Sequence, residues 1–543
     1  MVKVRAGPKA WLIASTLFLN MNIVGYSNAE EPAEARDPPQ KIPFKEELGG
    51  LTIDDRIKRL ELRNEELRAV LRADLPIYKN ADAIKTDGVA VEGKPLNVRQ
   101  KLFPEKALDP ESYSLQAYWN NGFELRSDDK AFTLNIGGRI DFDNSWYQLP
   151  SAMQPTLTNP LLDGSELRRA RFRAGGNIYT QFEYAFEVDL SSGSDFFTLK
   201  PNPEQPLYLT DAWVGINDVP IFGSIKIGHQ RELLTFTNSM NGNFLQFMER
   251  PYIFDAFNNF FQFSTGISAT RNMFDDHLQA WLGLFRTGTR TGAFGVGNGD
   301  AAFSARLNWQ PVLLPDEQFW VTLGSAGSIR TIPQDPGYMY YFARPLARAG
   351  SAYQVPYLIN TPELLSDDLV NYVNFNLHSA YGPFSFGGEY LASYMTNVVN
   401  NGSSLPNAQN SNTPMPVGNL TFDGFYLETL YFLTRNDHHP IDLKTMAYDR
   451  VIPQTPFICR DKSDPNMPNG WGAWEVGLRF DYLSLDSNQV QAGTLNSITT
   501  GLNWYWNPNM RIMGNYIYTF RDWNEPNATG NIQAFGIRAH VDF

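Results

Sequence analysis

The chain has 543 residues, of which 14% are aromatic, with 37 Phe, 25 Tyr and 12 Trp. A formal net charge of −13 offers nothing to a nucleic-acid partner, and the single cysteine, Cys459, excludes an internal disulfide framework or a thiolate metal cluster. The six histidines lack ligand spacing, His438-His439 being the one adjacent pair, so no metal and no cofactor are expected.

Met1–Ala29 reads as a secretory signal peptide. Lys3, Arg5 and Lys9 form its positive region, Ala10–Leu19 its apolar stretch, and Ser27-Asn28-Ala29 its cleavage signal. The apolar stretch is about half of the ~20 residues a spanning helix needs, and no later stretch approaches that length. Only helices and closed barrels satisfy their backbone hydrogen bonds in lipid. The exported chain is therefore either soluble or a β-barrel.

Residues 30–121 read as a periplasmic leader. Glu30–Gly50 is rich in proline and charge. Ile53, Ile57, Leu60, Asn64, Leu67 and Leu71 then recur at alternating four- and three-residue steps. That spacing predicts a short coiled coil over about residues 51–72, or one amphipathic helix packed on a partner. Residues 73–114 carry no period and read as a linker.

From Phe123 the period is two. Phe132, Leu134, Ile136, Ile140 and Phe142 alternate with polar or charged residues over a run longer than a soluble strand. In Glu166–Leu190 an apolar row begun at Arg168 alternates with Arg169, Arg171 and Arg173. After a turn, Phe182, Tyr184, Phe186 and Val188 alternate with Glu183, Glu187 and Asp189. A hairpin centred near Ile178 predicts Arg173 opposite Glu183 and Arg169 opposite Glu187. Lys226, Arg306, Arg479 and Arg538 fall on the polar rows of later segments.

Sixteen such segments can be laid out between residues 130 and 543, joined by alternately short and long connections. Arg435–Trp471 is long where a short turn is expected, and a strand pair hidden there would make eighteen. The last segment ends on Phe543, with Phe535, Ile537, Ala539 and Val541 on its row. This is the kind of terminal aromatic that the barrel-assembly machinery of outer membranes reads. The expected fold class is all-β: a sixteen-stranded antiparallel transmembrane β-barrel over 122–543, with a short N-terminal helical segment.

Several phrases also resemble the phosphate-selective porin O and P family. They are Leu167-Arg168-Arg169-Ala170-Arg171, Glu183–Asp189, Phe247-Met248-Glu249-Arg250, Tyr381-Gly382-Pro383-Phe384, Tyr431-Phe432-Leu433-Thr434, Gly472-Ala473-Trp474-Glu475 and Gly501-Leu502-Asn503-Trp504-Tyr505. The resemblance covers about Gly122–Phe543. It implies a trimeric outer-membrane channel for small hydrophilic solutes, with the third external loop, Arg231–Phe260, folded inward to carry Glu249 and Arg250 at a constriction. Arg435-Asn436 departs from the family pattern. So does the charge: residues 130–543 hold 26 Lys plus Arg against 37 Asp plus Glu, with only five lysines. An acidic mouth repels phosphate, so lysine rings for phosphate are not expected, although a local arginine row still favours anions.

The expected function is a passive channel whose walls carry Arg169, Arg171, Arg173, Glu183, Glu187, Asp189, Lys226, Arg306, Arg479 and Arg538. The same charges also serve as cross-strand ion pairs that hold the wall. Two rival readings are a barrel that anchors an envelope tether through its leader helix, and an outer-membrane hydrolase. No nucleophile elbow or phosphate loop supports catalysis, so no catalytic residue is assigned. The expected partners are outer-membrane lipids, two further copies, the assembly machinery and small solutes.

Overall fold

The alternation of apolar and polar residues becomes sixteen antiparallel strands, in which successive side chains point to opposite faces. The first eight are β1 (Thr133–Gln148), β2 (Gly164–Ile178), β3 (Phe182–Asp189), β4 (Tyr208–Val219), β5 (Gly223–Arg231), β6 (Phe263–Met273), β7 (Leu278–Phe285) and β8 (Ala302–Leu314). They are followed by β9 (Phe319–Arg330), β10 (Val370–Tyr381), β11 (Phe384–Asn400), β12 (Met415–Phe432), β13 (Ala473–Ser487), β14 (Val490–Asn507), β15 (Met510–Asp522) and β16 (Gly530–Asp542). This computed structural model describes residues 114–191, 208–258, 261–287, 300–334, 337–401, 414–457 and 470–543. The signal peptide and the coiled coil expected over residues 51–72 lie outside the described residues.

Each strand pairs with its neighbour in sequence, and β16 pairs with β1 from Gln533 opposite Gln148 to Asp542 opposite Arg139, which closes the barrel. The wall holds sixteen strands rather than eighteen. In the long segment after β12, Ile441–Asp442 and Ala447–Tyr448 pair only with each other.

The outward rows are apolar and exposed, as with Ile140, Phe142 and Trp146 of β1 or Phe535 and Ile537 of β16. The alternate rows, such as Asp141 and Asp143 or Arg538 and His540, face inward and are buried. This inverts the arrangement of a soluble sheet and suits a wall set in lipid. The rim bearing the turns at residues 179–181, 220–222, 382–383 and 508–509 is the periplasmic one by that same pattern. Gly382 takes a positive φ of 52° in one of the two-residue turns, a backbone state that glycine adopts at little cost.

At the seam, Gly138 and Phe543 exchange backbone hydrogen bonds of 2.7 and 3.0 Å. A Cβ at Gly137 would collide with the Phe543 carbonyl, so the seam needs a bare backbone there. Below the seam the sheet continues. A hairpin of Leu115–Trp119 and Phe123–Ser127 pairs with the start of β1, Phe123 lying opposite Ile136 and Arg126 opposite Thr133.

Among the described residues, three long connecting segments turn into the barrel, and the β1–β2 segment adds Met153, Leu157 and Leu161 to the core. The β5–β6 segment carries α1 (Phe236–Ser239), capped by Thr235 Oγ1 accepting from Asn238 N, and α2 (Tyr252–Phe257). All six residues of α2 are buried, as expected of a helix that is apolar on nearly every side. With Tyr341, Leu346 and Leu358 of the β9–β10 segment it packs against inward Tyr372, Leu391, Phe422, Leu483 and Ile517. On the β10–β15 side these side chains fill the interior. The third segment follows β12 and enters from the opposite, periplasmic rim.

Candidate functional site

Among the described residues, inward side chains open to water run along β2–β5. Arg173 is exposed there, and Glu183, Asp211 and Lys226 are half-buried. Arg139 of β1, Arg169 and Arg171 of β2 and Arg231 of β5 share this wall, and Arg250 faces them from the β5–β6 segment. Arg169 Nη1 lies 3.1 Å from Asp141, while Arg171 binds Glu187 at 2.9 Å and Asp189 at 2.8 Å. Arg139 donates to Asn243 Oδ1 at 3.0 Å, and Arg231 to the Met240 carbonyl at 2.8 Å. Lys226 sits 4.1 Å above the Trp213 ring.

Arg250, like Arg231, makes its hydrogen bond to a main-chain carbonyl. Its Nε donates to the Thr237 carbonyl at 3.1 Å, and its guanidinium lies over Phe254 at 4.7 Å. Burial, and then the like charges of Arg169, Arg231, Arg139 and Arg171, hold its pKa well below the ordinary arginine value. A guanidinium buried among guanidiniums is costly unless an anion joins them.

The hairpin register departs from the expected one. Arg173 lies opposite Glu187, Arg171 opposite Asp189 and Glu183 opposite Asn177. Each partner is displaced by four residues because the turn, with Tyr179 and Thr180 at positive φ, is centred on Thr180, two residues later than expected. Arg169 therefore pairs with Asp141 on β1 rather than with Glu187. Arg168, read as part of the outward row, faces inward. The β1–β2 register breaks between Asp141 and Phe142, so Arg168 is the extra residue of a bulge, which turns it to the same side as Arg169.

Arg168 thereby reaches Glu249 at 3.1 Å, where Arg348 of the β9–β10 segment also binds at 3.0 Å and Arg538 at 3.4 Å. Burial alone would raise the Glu249 pKa, but Arg168, Arg348, Arg169 and Arg538 hold it well below the usual carboxylate range. Arg348 also binds Asp255 of α2, and these two carboxylates raise its own pKa despite burial.

Arg306, Arg479 and Arg538 all point inward, and each donates to a main-chain carbonyl of the β5–β6 segment. Arg306 reaches Leu234 at 3.3 Å, Arg479 reaches Glu249 at 3.1 Å and Arg538 reaches Met248 at 2.7 Å. Arg511 and Asn503 do the same to Asn243 and Gln246. The sequence reading assigned no site role to Arg139, Arg231, Arg348 or Arg511. For Arg511 the signal was present, as it begins a row of alternating residues on β15; for Arg348, in a loop, there was none.

The inward carboxylates of the far wall, Glu389, Glu475 and Asp481, are screened from the basic wall by this segment. Glu389 accepts from Phe236 N and Asp481 from Tyr252 N. Glu475 binds His439, Asn503 and Tyr505. Across the periplasmic mouth, the segment after β12 reaches three other strands. Its His439, Leu443 and Lys444 carbonyls accept from Trp320, Asn272 and Gln279, at 3.0, 2.9 and 2.9 Å.

A family model described as phosphate-selective porin O and P matches residues 154–543. An uncharacterized protein of Caulobacter vibrioides is 24% identical over 444 residues, 80% of this chain and 78% of that one. Among solved structures, the anion-selective porin from Comamonas acidovorans is 10% identical, with 76% of this chain and all of that one covered and a TM-score of 0.42. The outer membrane channel DcaP of Acinetobacter baumannii is 9% identical, with 77% and 99% covered and a TM-score of 0.42. At these values the structural likenesses carry no argument, and the family match over most of the chain carries the assignment. The chain belongs to the phosphate-selective porin O and P family, as an outer-membrane barrel that passes small solutes.

Proposed function

We propose that solutes pass between the β5–β6 segment and the β1–β5 wall, and that this passage favours small anions over cations. The observation that carries the reading is Arg250, which faces Arg169, Arg231, Arg139 and Arg171. An arginine-lined constriction concentrates anions and raises the barrier to cations. Guanidinium forks suit the oxygens of phosphate and carboxylate, so both are candidate permeants. Part of the acidic balance of the barrel is kept away from this passage, because the far-wall carboxylates Glu389, Glu475 and Asp481 are buried behind the segment.

Arg169, Arg171, Arg173, Glu187, Asp189, Glu183 and Lys226 form the wall of this passage in our reading. Arg306, Arg479 and Arg538 fix the segment opposite it. We assign a homotrimer, supported by the low wall of β3, β5 and β7, which span 8, 9 and 8 residues where β12 spans 18. Strands this short lie at or below the ~9–11 residues that cross a bilayer, and a protein neighbour covers such a wall better than lipid. The test is single-channel recording in planar bilayers under a salt gradient. The expected reversal potential has the sign of anion preference; a cation-preferring potential would refute the selectivity, and no conductance would refute the passage.

A further inference from the structure

The hairpin Leu115–Ser127 carries its own two faces. Register places Phe123 beside Ile136 and Leu125 beside Leu134, on the lipid-facing row of β1 that continues through Ile140, Phe142 and Trp146. Trp119 lies opposite Phe123, and Ala117 opposite Leu125, on that same face. The other face is polar and internally satisfied. Asn120 donates to Glu124 at 2.9 Å, Gln116 to Asp128 at 2.6 Å, and Arg126 lies over Tyr118 at 3.7 Å. Leu115, Trp119 and Phe123 are 56%, 66% and 42% exposed, a dense apolar set for five-residue strands outside the wall.

Height fixes what meets this face. With a rise of ~3.4 Å per residue and a tilt of ~40°, Leu134 lies about 30 Å below Trp146 along the barrel axis. That is about the full depth of the hydrocarbon layer. The hairpin therefore sits at the level of the periplasmic headgroups, where indole and phenol rings partition best.

We propose that this hairpin is a membrane-docking element whose Leu115, Trp119 and Phe123 face enters the headgroup region of the periplasmic leaflet. Its continuity with the lipid-facing row of β1 names phospholipid as the occupant, and its position before β1 makes it the point where the leader is held at the membrane.

The full chain, reconstituted in phosphatidylcholine vesicles, tests this through the fluorescence difference between the wild type and Trp119→Phe. Bromines at shallow acyl positions are expected to quench the Trp119 signal about twofold more than deep bromines, as for an indole at headgroup level. Absence of bromine quenching would overturn the proposal. As a second arm, Leu115→Asp with Trp119→Asp is expected to leave conductance unchanged and to speed tryptic cleavage after Arg126 in vesicles. Dissociation of the oligomer by that double variant, with no bromine quenching in the wild type, would assign the face to a second copy instead of lipid.

Discussion

Arg538 of the last strand donates from Nη1 to the carbonyl of Met248 at 2.7 Å while its other nitrogens clamp Asp143 at 2.7 and 2.6 Å. One guanidinium thus joins the seam of the barrel to the segment that narrows it. Arg538→Ala leaves Asp143 and the Met248 carbonyl buried without a partner. Breaking such a pair costs about 3–5 kcal/mol. The expected outcome is a lower temperature for the heat-induced mobility shift of the barrel, together with noisier open-channel current. Arg538→Lys keeps the charge but loses the fork, so it is expected to fall between the two.

Arg250 governs ion preference if the passage runs where we place it. Arg250→Glu reverses a charge facing Arg169, Arg171 and Arg231. Even at the dielectric of water, one unit charge at ~4 Å is worth about 1 kcal/mol, roughly fivefold in local anion occupancy. The reversal potential under a salt gradient is expected to move toward cations by at least that ratio. An unchanged potential would place the conducting path elsewhere.

The strands were legible because a lipid-facing row tolerates few polar residues, so the period of two survives in sequence from Phe132 through Phe543. Bulges and turn geometry were not legible. Arg168 reads as outward by counting, and only the register break at Asp141 turns it toward Glu249. The inward arginines were visible as a row, but not what they bind. Arg306, Arg479 and Arg538 meet carbonyls of a segment far away in sequence, and main-chain carbonyls leave no trace in residue identity. The apolar residues of the β9–β10 segment, such as Leu346, Val355 and Leu358, looked like an external loop. Their burial inside the barrel depends on α2, which packs with them.

Glu249 makes the anchoring pH-dependent in one direction. Its folded pKa lies below its unfolded one, so a released segment takes up a proton first as pH falls. The stabilisation is complete above about pH 4.3, the ordinary Glu value, and is lost as pH drops through the folded value. Current noise is expected to be flat from about pH 8 to about pH 5 and to rise below that. Glu249→Gln is expected to show the raised noise at neutral pH. The gap between it and the wild type should close in acid, and a constant gap would contradict the linkage.

The segment after β12 is held across the periplasmic mouth by Asn272 and Gln279, which bind the carbonyls of Leu443 and Lys444. Each such hydrogen bond is worth about 1 kcal/mol net, so Asn272→Ala with Gln279→Ala is expected to raise the population with the tip released roughly thirtyfold. Single-channel records should then show a larger conductance level that is rare in the wild type. Unaltered amplitudes and dwell times would mean that the tip does not restrict flow.

Gly137 tests the seam itself. A Cβ there would meet the Phe543 carbonyl, which is backbone and has no rotamer to escape into. Gly137→Ala must therefore push Phe543 off Gly138, breaking the paired hydrogen bonds of 2.7 and 3.0 Å. The lost bonds cost about 1–3 kcal/mol, because the freed groups sit where sheet edges cannot be left open to lipid. The expected result is a barrel that assembles but unfolds at a lower denaturant concentration, with β16 the first strand to lose amide protection in hydrogen exchange. Ala539→Gly, on an outward position of β16 that meets no such carbonyl, serves as the control and is expected to leave the order of exchange unchanged.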